Sequence, residues 1–471
     1  MTAQQKLCEK MFCEEETSDH QRSILLIDIM NAMGFSKIER EIHRYDIYLQ
    51  NAIPNIFLST EKDVQIITGS GREGLRGGIY NTQIHHDTDL LYTIRNIKLY
   101  SPRVNNINNP PPLYNNEDYD ASFFVEECED FPGYVKLSLA KKKANCVYLD
   151  HCKIMYDDKS YLSNSKIMEF LSQAFDKSRQ YSMEGDLISE LCEKSGINGP
   201  AHTLYFGDEL GQIVKTDAVH CIHHGLWPNS AYSFITRGKP NNWPSNSLIE
   251  NIKSQGYDVA PVGHHDSKNS DVQWRISFPG EQILLLDLTD VQILCYALIK
   301  IILREKLNTS QREVVSSFHI KHVMFWCVEL CSCQWVDSNY INCLDICLTK
   351  VIRMIEARHI PHYIIASRNL FDSKLTEQIS KEVVDILRKY DTTDVFKLHA
   401  FNRVFKETQY KKALLKHAAL QSTMLACFCA YIGSFRYVVI SSLIFWELYM
   451  PHNATKSLLN YVNTLKNLQK L

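Results

Sequence analysis

Ile84-His-His-Asp-Thr-Asp-Leu-Leu-Tyr92 is the stretch that decides the fold. Asp87 and Asp89 open an apolar run that reads as a strand, and strand alternation points both carboxylates the same way, about 7 Å apart at their backbone positions. Upstream, Gly69-Ser70-Gly71 directly follows the apolar Val64-Gln-Ile-Ile-Thr68. Glycine there lets backbone N–H groups close on a phosphate, and the Ser70 hydroxyl adds a donor. Two metal ions in a phosphoryl-transfer site lie roughly 3.5–4 Å apart, so a same-face pair of acids holds both once a neighbouring strand supplies a third. Asp217, in Val214-Lys-Thr-Asp-Ala-Val219, is the candidate. A carboxylate inside an apolar strand needs a compensating cation, either a salt bridge to Lys215 or Arg237 or a bound metal. The company of Asp87 and Asp89 favours metal.

Around this core the text reads as a mixed sheet. Strands are expected at 64–68, 90–94, 134–139 and 212–222, separated by helical text at 163–174 and 186–195. Before them, apolar residues from Asp19 to Ala52 recur at three and four, which predicts one long or kinked amphipathic helix. After them the period shifts to about 3.6, with helices expected at 291–303, 314–330, 342–357 and 375–387. The expectation is an α+β, bilobed architecture. It comprises an N-terminal helical segment (1–50), a mixed-sheet core with helices (51–265), an all-helical lobe (266–375) and a helical extension of unknown role (376–471). The stretch 106–116, with Pro110-Pro-Pro112, reads as an extended loop.

At 471 residues the chain suits two or three domains, and 45% hydrophobic with 22% charged residues is ordinary globular composition. A formal charge of −3 gives no global sign of a nucleic-acid binder, so that role has to rest on a local basic patch. The candidates are Lys141-Lys142-Lys143 with Lys136 and Lys153, and Lys37, Arg40 and Arg44 on the first helix, with a solvated face as the plain alternative. Fifteen cysteines scattered through helices and strands, behind an N-terminus with no apolar signal core, fit a reducing, cytoplasmic setting. Cys327/Cys331/Cys333, Cys343/Cys347 and Cys427/Cys429 lack zinc-finger spacing and read as buried thiols. Met424 to Trp446 is long enough to span a bilayer, but Arg436 near its middle argues for a buried helical pair instead. Of His85-His86, His220, His223-His224 and His264-His265, only one of each adjacent pair could face a common site on a strand, and no His-Glu-x-x-His occurs. A zinc hydrolase is not expected.

Gly69-Ser70, Asp87-Thr-Asp89, and Asp217 followed by Trp227-Pro228, Arg237 and Trp243-Pro244 together resemble the Mab-21 family, which includes the cyclic GMP-AMP synthase-like receptors. Trp274-Arg-Ile-Ser-Phe278, Cys295-Tyr-Ala-Leu-Ile-Lys300, Ser316-Ser-Phe-His-Ile-Lys321, Phe325-Trp326, Pro361-His-Tyr-Ile-Ile365 and Asn369-Leu-Phe371 continue the likeness through the helical text. The resemblance implies a nucleotidyltransferase fold and an enzyme that joins ATP and GTP into a cyclic dinucleotide on sensing double-stranded nucleic acid. By the same resemblance, Gly69 and Ser70 would meet the donor triphosphate. Asp87, Asp89 and Asp217 would hold two Mg²⁺ or Mn²⁺ ions. Lys300 and Ser317 would bind phosphates, Arg275 and Ser277 a base edge, and Phe318 would stack on a base. A guanidinium offers paired donors to a purine and an aromatic face accepts any base, so the residue types suit these roles.

The departures are informative. No zinc-binding insertion separates Phe278 from Cys295, so no zinc is expected. Ala297 stands where the DNA-sensing relative has lysine, and Phe318 replaces a tyrosine, which turns the expectation from DNA towards RNA. The competing reading is a non-catalytic Mab-21-type binding or developmental protein, and a third is a membrane-tethered interaction protein using 424–446. Base choice, linkage and oligomeric state are not legible in the sequence.

Overall fold

The computed structural model describes residues 18–31, 35–37, 40, 41, 44, 63–68, 87–94, 96–101, 119–144, 146–181, 192–207 and 213–390. All of them fall in one compact unit, Met1–Phe396. Its strands, in chain order, are β1 (Asp63–Thr68), β2 (Asp87–Ile94), β3 (Ile97–Tyr100), β4 (Ala121–Glu127), β5 (Tyr134–Lys142), β6 (Lys153–Tyr156), β7 (Lys159–Leu162), β8 (Cys192–Asn198), β9 (Ala201–Gly207), β10 (Ile213–His224), β11 (Tyr257–Ala260) and β12 (Gln273–Ser277). They join in one mixed sheet of order β1-β2-β10-β11-β12-β5-β4-β3, with the hairpin β6-β7 attached through β5 and β8-β9 through β10.

The long strand β10 organises this sheet. It runs parallel to β2 from Lys215 to Cys221, antiparallel to β9 from Ile213 to Val219, and pairs its last residues, Ile222 to His224, with β11. Its period-2 text separates two faces. On one face Ile222 joins Val259 and Ile276, its neighbours across β11 and β12, all at most 2% exposed. Trp274 extends the same apolar layer and donates its indole N–H to Leu162 O at 3.0 Å. On that face too, His220 stacks on its register partner Tyr92, with ring centroids 5.0 Å apart. Burial lowers the pKa of His220 to about 4, so the ring is neutral and serves as an aromatic cross-strand contact. At the entry to β11, Gly256 (φ +62°) places its Cα where a Cβ would meet His224 O at 2.2 Å, so only glycine fits.

Helices Asp290–Lys306, Ser317–Leu330, Tyr340–Glu356 and Glu377–Arg388 form the second layer of the core. The first starts at a capping box in which Thr289 accepts from Gln292 N–H and Gln292 returns to the Thr289 N–H, satisfying two orphan donors. The expected helix 314–330 is two, Thr309–Val314 and Ser317–Leu330, because Ser316 caps a new start there with His319. Mixed sheet and helical lobe thus agree with the expected α+β class. Among particulars, 192–198 is strand β8, not the end of a helix: its partner β9 supplies the ladder that local propensity did not reveal. β12 lies beyond the expected boundary at 265/266, yet pairs inside the sheet. The first helix is described as Asp19–Met30, capped by Ser18 and Gln21. The loop 106–116 and the segments 376–471, beyond Tyr390, and 424–446 lie outside the described residues. Among the described residues no helix is long and apolar enough to cross a membrane.

Candidate active site

Parallel pairing places Asp217 directly opposite Asp89 and Lys215 opposite Asp87. Register partners on adjacent strands share a face, and the strands lie about 4.8 Å apart, so the Asp89 and Asp217 carboxylates project from neighbouring points on one side. Both side chains are half-buried. On the other flank of β10, Thr203 is the register partner of Asp217 and donates its hydroxyl to Asp217 Oδ1 at 2.5 Å. Thr203 is 2% exposed, and its hydroxyl fixes the rotamer of the acid. Nothing in the local sequence marks Thr203; only the β9 register reveals it. Asp87 is described in its backbone alone, two residues before Asp89, and Gly69 and Ser70 lie outside the described residues. Arg237, a candidate cation for Asp217, is committed elsewhere: it binds Glu329 at 3.0 Å and Tyr363 O at 2.8 Å.

The expected base-reading residues occupy the same face further along. The row His223, Asp258, Ser277 crosses three strands in register, and His223 shares strand parity with Asp217. Arg275 and Ser277 alternate with the buried Trp274 and Ile276, so both turn to the Asp217 side. Arg275 is opposite Tyr134 on β5. Tyr134 in turn stacks against the Arg368 guanidinium, 5.2 Å from ring centroid to Cζ, and donates to Asp372 at 3.3 Å. Asp372 also takes Arg368 at 3.4 Å and His264 Nε2 at 3.6 Å. Burial, then the neighbouring Arg368, lower the pKa of Arg275. This supporting cluster was not legible in the sequence, since its members come from four separate segments.

Phe318 opens the helix Ser317–Leu330 with 40% of its surface exposed. Its ring meets His322 edge-on at 4.6 Å, His322 meets His362 at 4.3 Å, and His362 lies 5.9 Å from Phe278 at the end of β12. A chain of rings therefore joins the stacking candidate to the strand that carries Arg275 and Ser277. Lys300 sits 5.1 Å from the Tyr296 ring, and the Tyr296 hydroxyl reaches Ser317 O at 3.5 Å, so the two expected phosphate ligands share one tyrosine.

Glu281, His322 and His362 bring ligand atoms within 4.8 Å of one another, a spacing that a metal could bridge. The proton pattern argues otherwise. His322 Nδ1 accepts from Tyr363 N–H at 3.0 Å, and His362 Nδ1 accepts from Ile364 and Ile365 N–H at 3.1 Å each. Neutral rings so held carry their proton on Nε2, which faces Glu281 at 3.2 Å from His362 and 3.8 Å from His322. Lys321 completes the knot at 2.9 Å. Burial alone would raise Glu281, but Lys321, His322 and His362 hold it well below the usual carboxyl range. Burial lowers both histidines. Stability is therefore expected to be level above about pH 6.5 and to fall as pH drops through it, because the unfolded imidazoles take up protons that the buried rings refuse. The depressed Glu281 pKa adds a further loss below about pH 4.3 in the same direction. Thermal melting against pH checks this, and a rise in Tm on adding Zn²⁺ at constant pH would favour a metal site instead.

The expected cationic surface is less continuous than the sequence implied. Lys37 and Lys141 are exposed. Lys142 pairs with Asp150 at 2.6 Å, Lys143 with Asp120 at 3.8 Å and Arg44 with Glu41 at 2.8 Å. Arg40 departs from the expectation: it is 3% exposed, donating to Phe35 O and to Asp290, because it bridges the N-terminal segment to the start of the helix Asp290–Lys306. It belongs to the interior.

Comparison with known proteins fits this geometry. Residues 114–287 match the Mab-21 protein nucleotidyltransferase domain, and residues 292–389 the Mab-21 protein HhH/H2TH-like domain, together more than half of the chain. Asp217, Arg275 and Ser277 fall in the first match, Lys300, Ser317 and Phe318 in the second, and Asp87 and Asp89 precede both. Among curated proteins, the chain is 22% identical to cyclic GMP-AMP synthase of Mus musculus over 228 residues, covering 44% of each chain. It is 24% identical to protein mab-21-like 3 of Danio rerio over 143 residues, 30% of this chain and 35% of that protein. The chain thus spans less than half the length of these curated relatives.

Proposed function

Because this chain belongs to the Mab-21 family and carries its nucleotidyltransferase domain, we propose that it is a metal-dependent nucleotidyltransferase that joins ATP and GTP, or related nucleotides, into a cyclic dinucleotide. The observation that carries the reading is the register match of Asp89 with Asp217 across the parallel strands β2 and β10. These are hard oxygen donors of the type that Mg²⁺ and Mn²⁺ prefer, with Asp87 two residues away as the third acid. Divalent ions held there would activate the attacking ribose hydroxyl and offset charge on the triphosphate. The chain's own residues do the rest. Thr203 keeps Asp217 in one rotamer, Gly69 and Ser70 receive the phosphate tail, and Lys300 and Ser317 bind further phosphate oxygens. Arg275 and Ser277 address a base edge, and the Phe318 face stacks on a base.

Gating by double-stranded RNA is part of the proposal, resting on the exposed Lys37 and Lys141 and on the paired lysines beside the latter. Recognition would be of phosphate and shape, hence weakened by salt. The deciding experiment incubates purified protein with the four labelled nucleotides and Mg²⁺ or Mn²⁺, with or without double-stranded RNA or DNA. A phosphatase-resistant product supports the enzyme. Its absence under every condition favours the non-catalytic binding protein.

Two substitutions test the base contacts. Arg275→Lys keeps a charge but loses the planar fork, and is expected to raise KM for one nucleotide about ten- to a hundredfold with little change in kcat. Phe318→Ala is expected to cost about 1–3 kcal/mol of nucleotide affinity, and Phe318→Tyr to retain it. Steady-state kinetics with each nucleotide varied in turn checks both.

A further inference from the structure

Among the described thiols, one pair joins a partly exposed sulfur to a buried one at short distance. Cys333, in the connection between the helices Ser317–Leu330 and Tyr340–Glu356, and Cys343, on the second of these, approach to 2.8 Å between their sulfurs. Two unbonded sulfurs rarely settle so close, and only a short further approach separates them from the 2.03–2.05 Å of a disulfide. Asn339 directs its side-chain N–H group at both, 3.6 Å from each sulfur, and holds the connection by donating to Gln334 O at 2.9 Å. Cys333 is partly exposed and Cys343 fully buried, so one sulfur is open to a reagent while its partner waits behind it. Burial, then the neighbouring Cys333 thiol, raise Cys343 to about 12, which leaves Cys333 as the entry point. Cys295, Cys327 and Cys347 are all at 0% exposure and have no comparable access.

We propose that Cys333 and Cys343 are a redox dithiol, a modification site that closes reversibly to a disulfide by exchange with a small-molecule disulfide. The Cys333 thiolate attacks one sulfur of the reagent, forming a mixed disulfide and expelling one thiolate. The Cys343 thiol passes its proton to the departing thiolate and attacks the Cys333 sulfur. The Cys333–Cys343 bond forms, the mixed bond breaks, and the second small thiol leaves with the remaining proton. Two protein thiols are oxidised by two electrons and one small disulfide is reduced to two thiols. The bond would staple the connection where the N-terminal helix docks, since the neighbouring Ile341 N–H donates to buried Ser23 Oγ at 3.1 Å. This inference is independent of the catalytic reading.

The test uses the full chain equilibrated with reduced and oxidised glutathione at several ratios, then quenched, alkylated and digested. Trypsin together with cleavage before Asp337 and Asp345 yields 322–336, which holds Cys327, Cys331 and Cys333, and 337–344, which holds Cys343 alone. The expected result is a cross-linked pair of these peptides that accumulates with oxidised glutathione, maps to Cys333, and disappears on reduction and in Cys333→Ala. Absence of the cross-link at every ratio overturns the proposal, as does a link through Cys327 or Cys331 or its persistence in Cys333→Ala. A glutathione adduct on Cys333 that never resolves in the native protein also overturns it.

Discussion

Asp217→Asn is expected to lower nucleotide turnover by on the order of 10³-fold or more while leaving the protein folded. The substitution changes charge and little else. An asparagine oxygen still accepts the Thr203 hydroxyl that Asp217 accepts at 2.5 Å, so rotamer and strand pairing persist. What disappears is the anion opposite Asp89, and with it, on the proposed function, much of the attraction for a divalent ion. Two measurements separate the effects: kcat with the best nucleotide pair, and Mn²⁺ affinity by calorimetry. Both should fall while Tm stays within a few degrees. Unchanged kcat and unchanged Mn²⁺ binding in a folded Asp217→Asn protein would remove this acid from the site. Thr203→Val should give a milder version of the same loss, because the acid remains but its rotamer is freed.

Glu329→Ala is expected to cost about 3–5 kcal/mol of stability. Glu329 is 1% exposed and gathers three donors. Arg237 contributes two nitrogens, at 3.0 Å each in their closer contacts, Lys239 stands at 3.3 Å, and the Tyr363 hydroxyl at 2.6 Å. The guanidinium is also flanked by the Trp326 and Tyr363 rings, 4.4 and 4.6 Å from its Cζ. Removing the carboxylate leaves two cations in an aromatic box without their anion, held only by the carbonyls of Tyr363 and Phe234, which is far costlier than never having built the pair. Glu329→Gln, which keeps an acceptor oxygen, should lose less, about 1–3 kcal/mol. Urea denaturation at neutral pH resolves the two. A loss below about 1 kcal/mol for Glu329→Ala would mean that water reaches the box and that the cluster is less closed than its burial indicates.

Much of this arrangement can be read from residue order because its determinants are local. Apolar alternation marks β2, β5 and β10, and the 3.6-residue period marks the helices Asp290–Lys306 and Tyr340–Glu356. Asp89 and Asp217 are recognisable as carboxylates in apolar strands, a costly placement that asks for a reason. The misreadings have a common physical origin. β8 is held by β9 and Arg40 by Asp290, so in both cases a partner distant in sequence overrules the local text. Arg40 looks like a surface cation until its acid is located, 250 residues away. Thr203 and the Arg368–Asp372–Tyr134 cluster are ordinary residues whose meaning comes only from register and packing.

The ladder between β2 and β10 also bears on how the molecule assembles. Asp89 and its opposite number Asp217 belong to strands joined by well over a hundred residues, so their pairing closes a long loop and raises the contact order of the sheet. On a ribosome, β2 emerges long before the strand that completes it, and its paired acids spend that interval without Asp217. On the proposed function, divalent-ion affinity should therefore appear during refolding only once β10 docks, later than formation of the local helices.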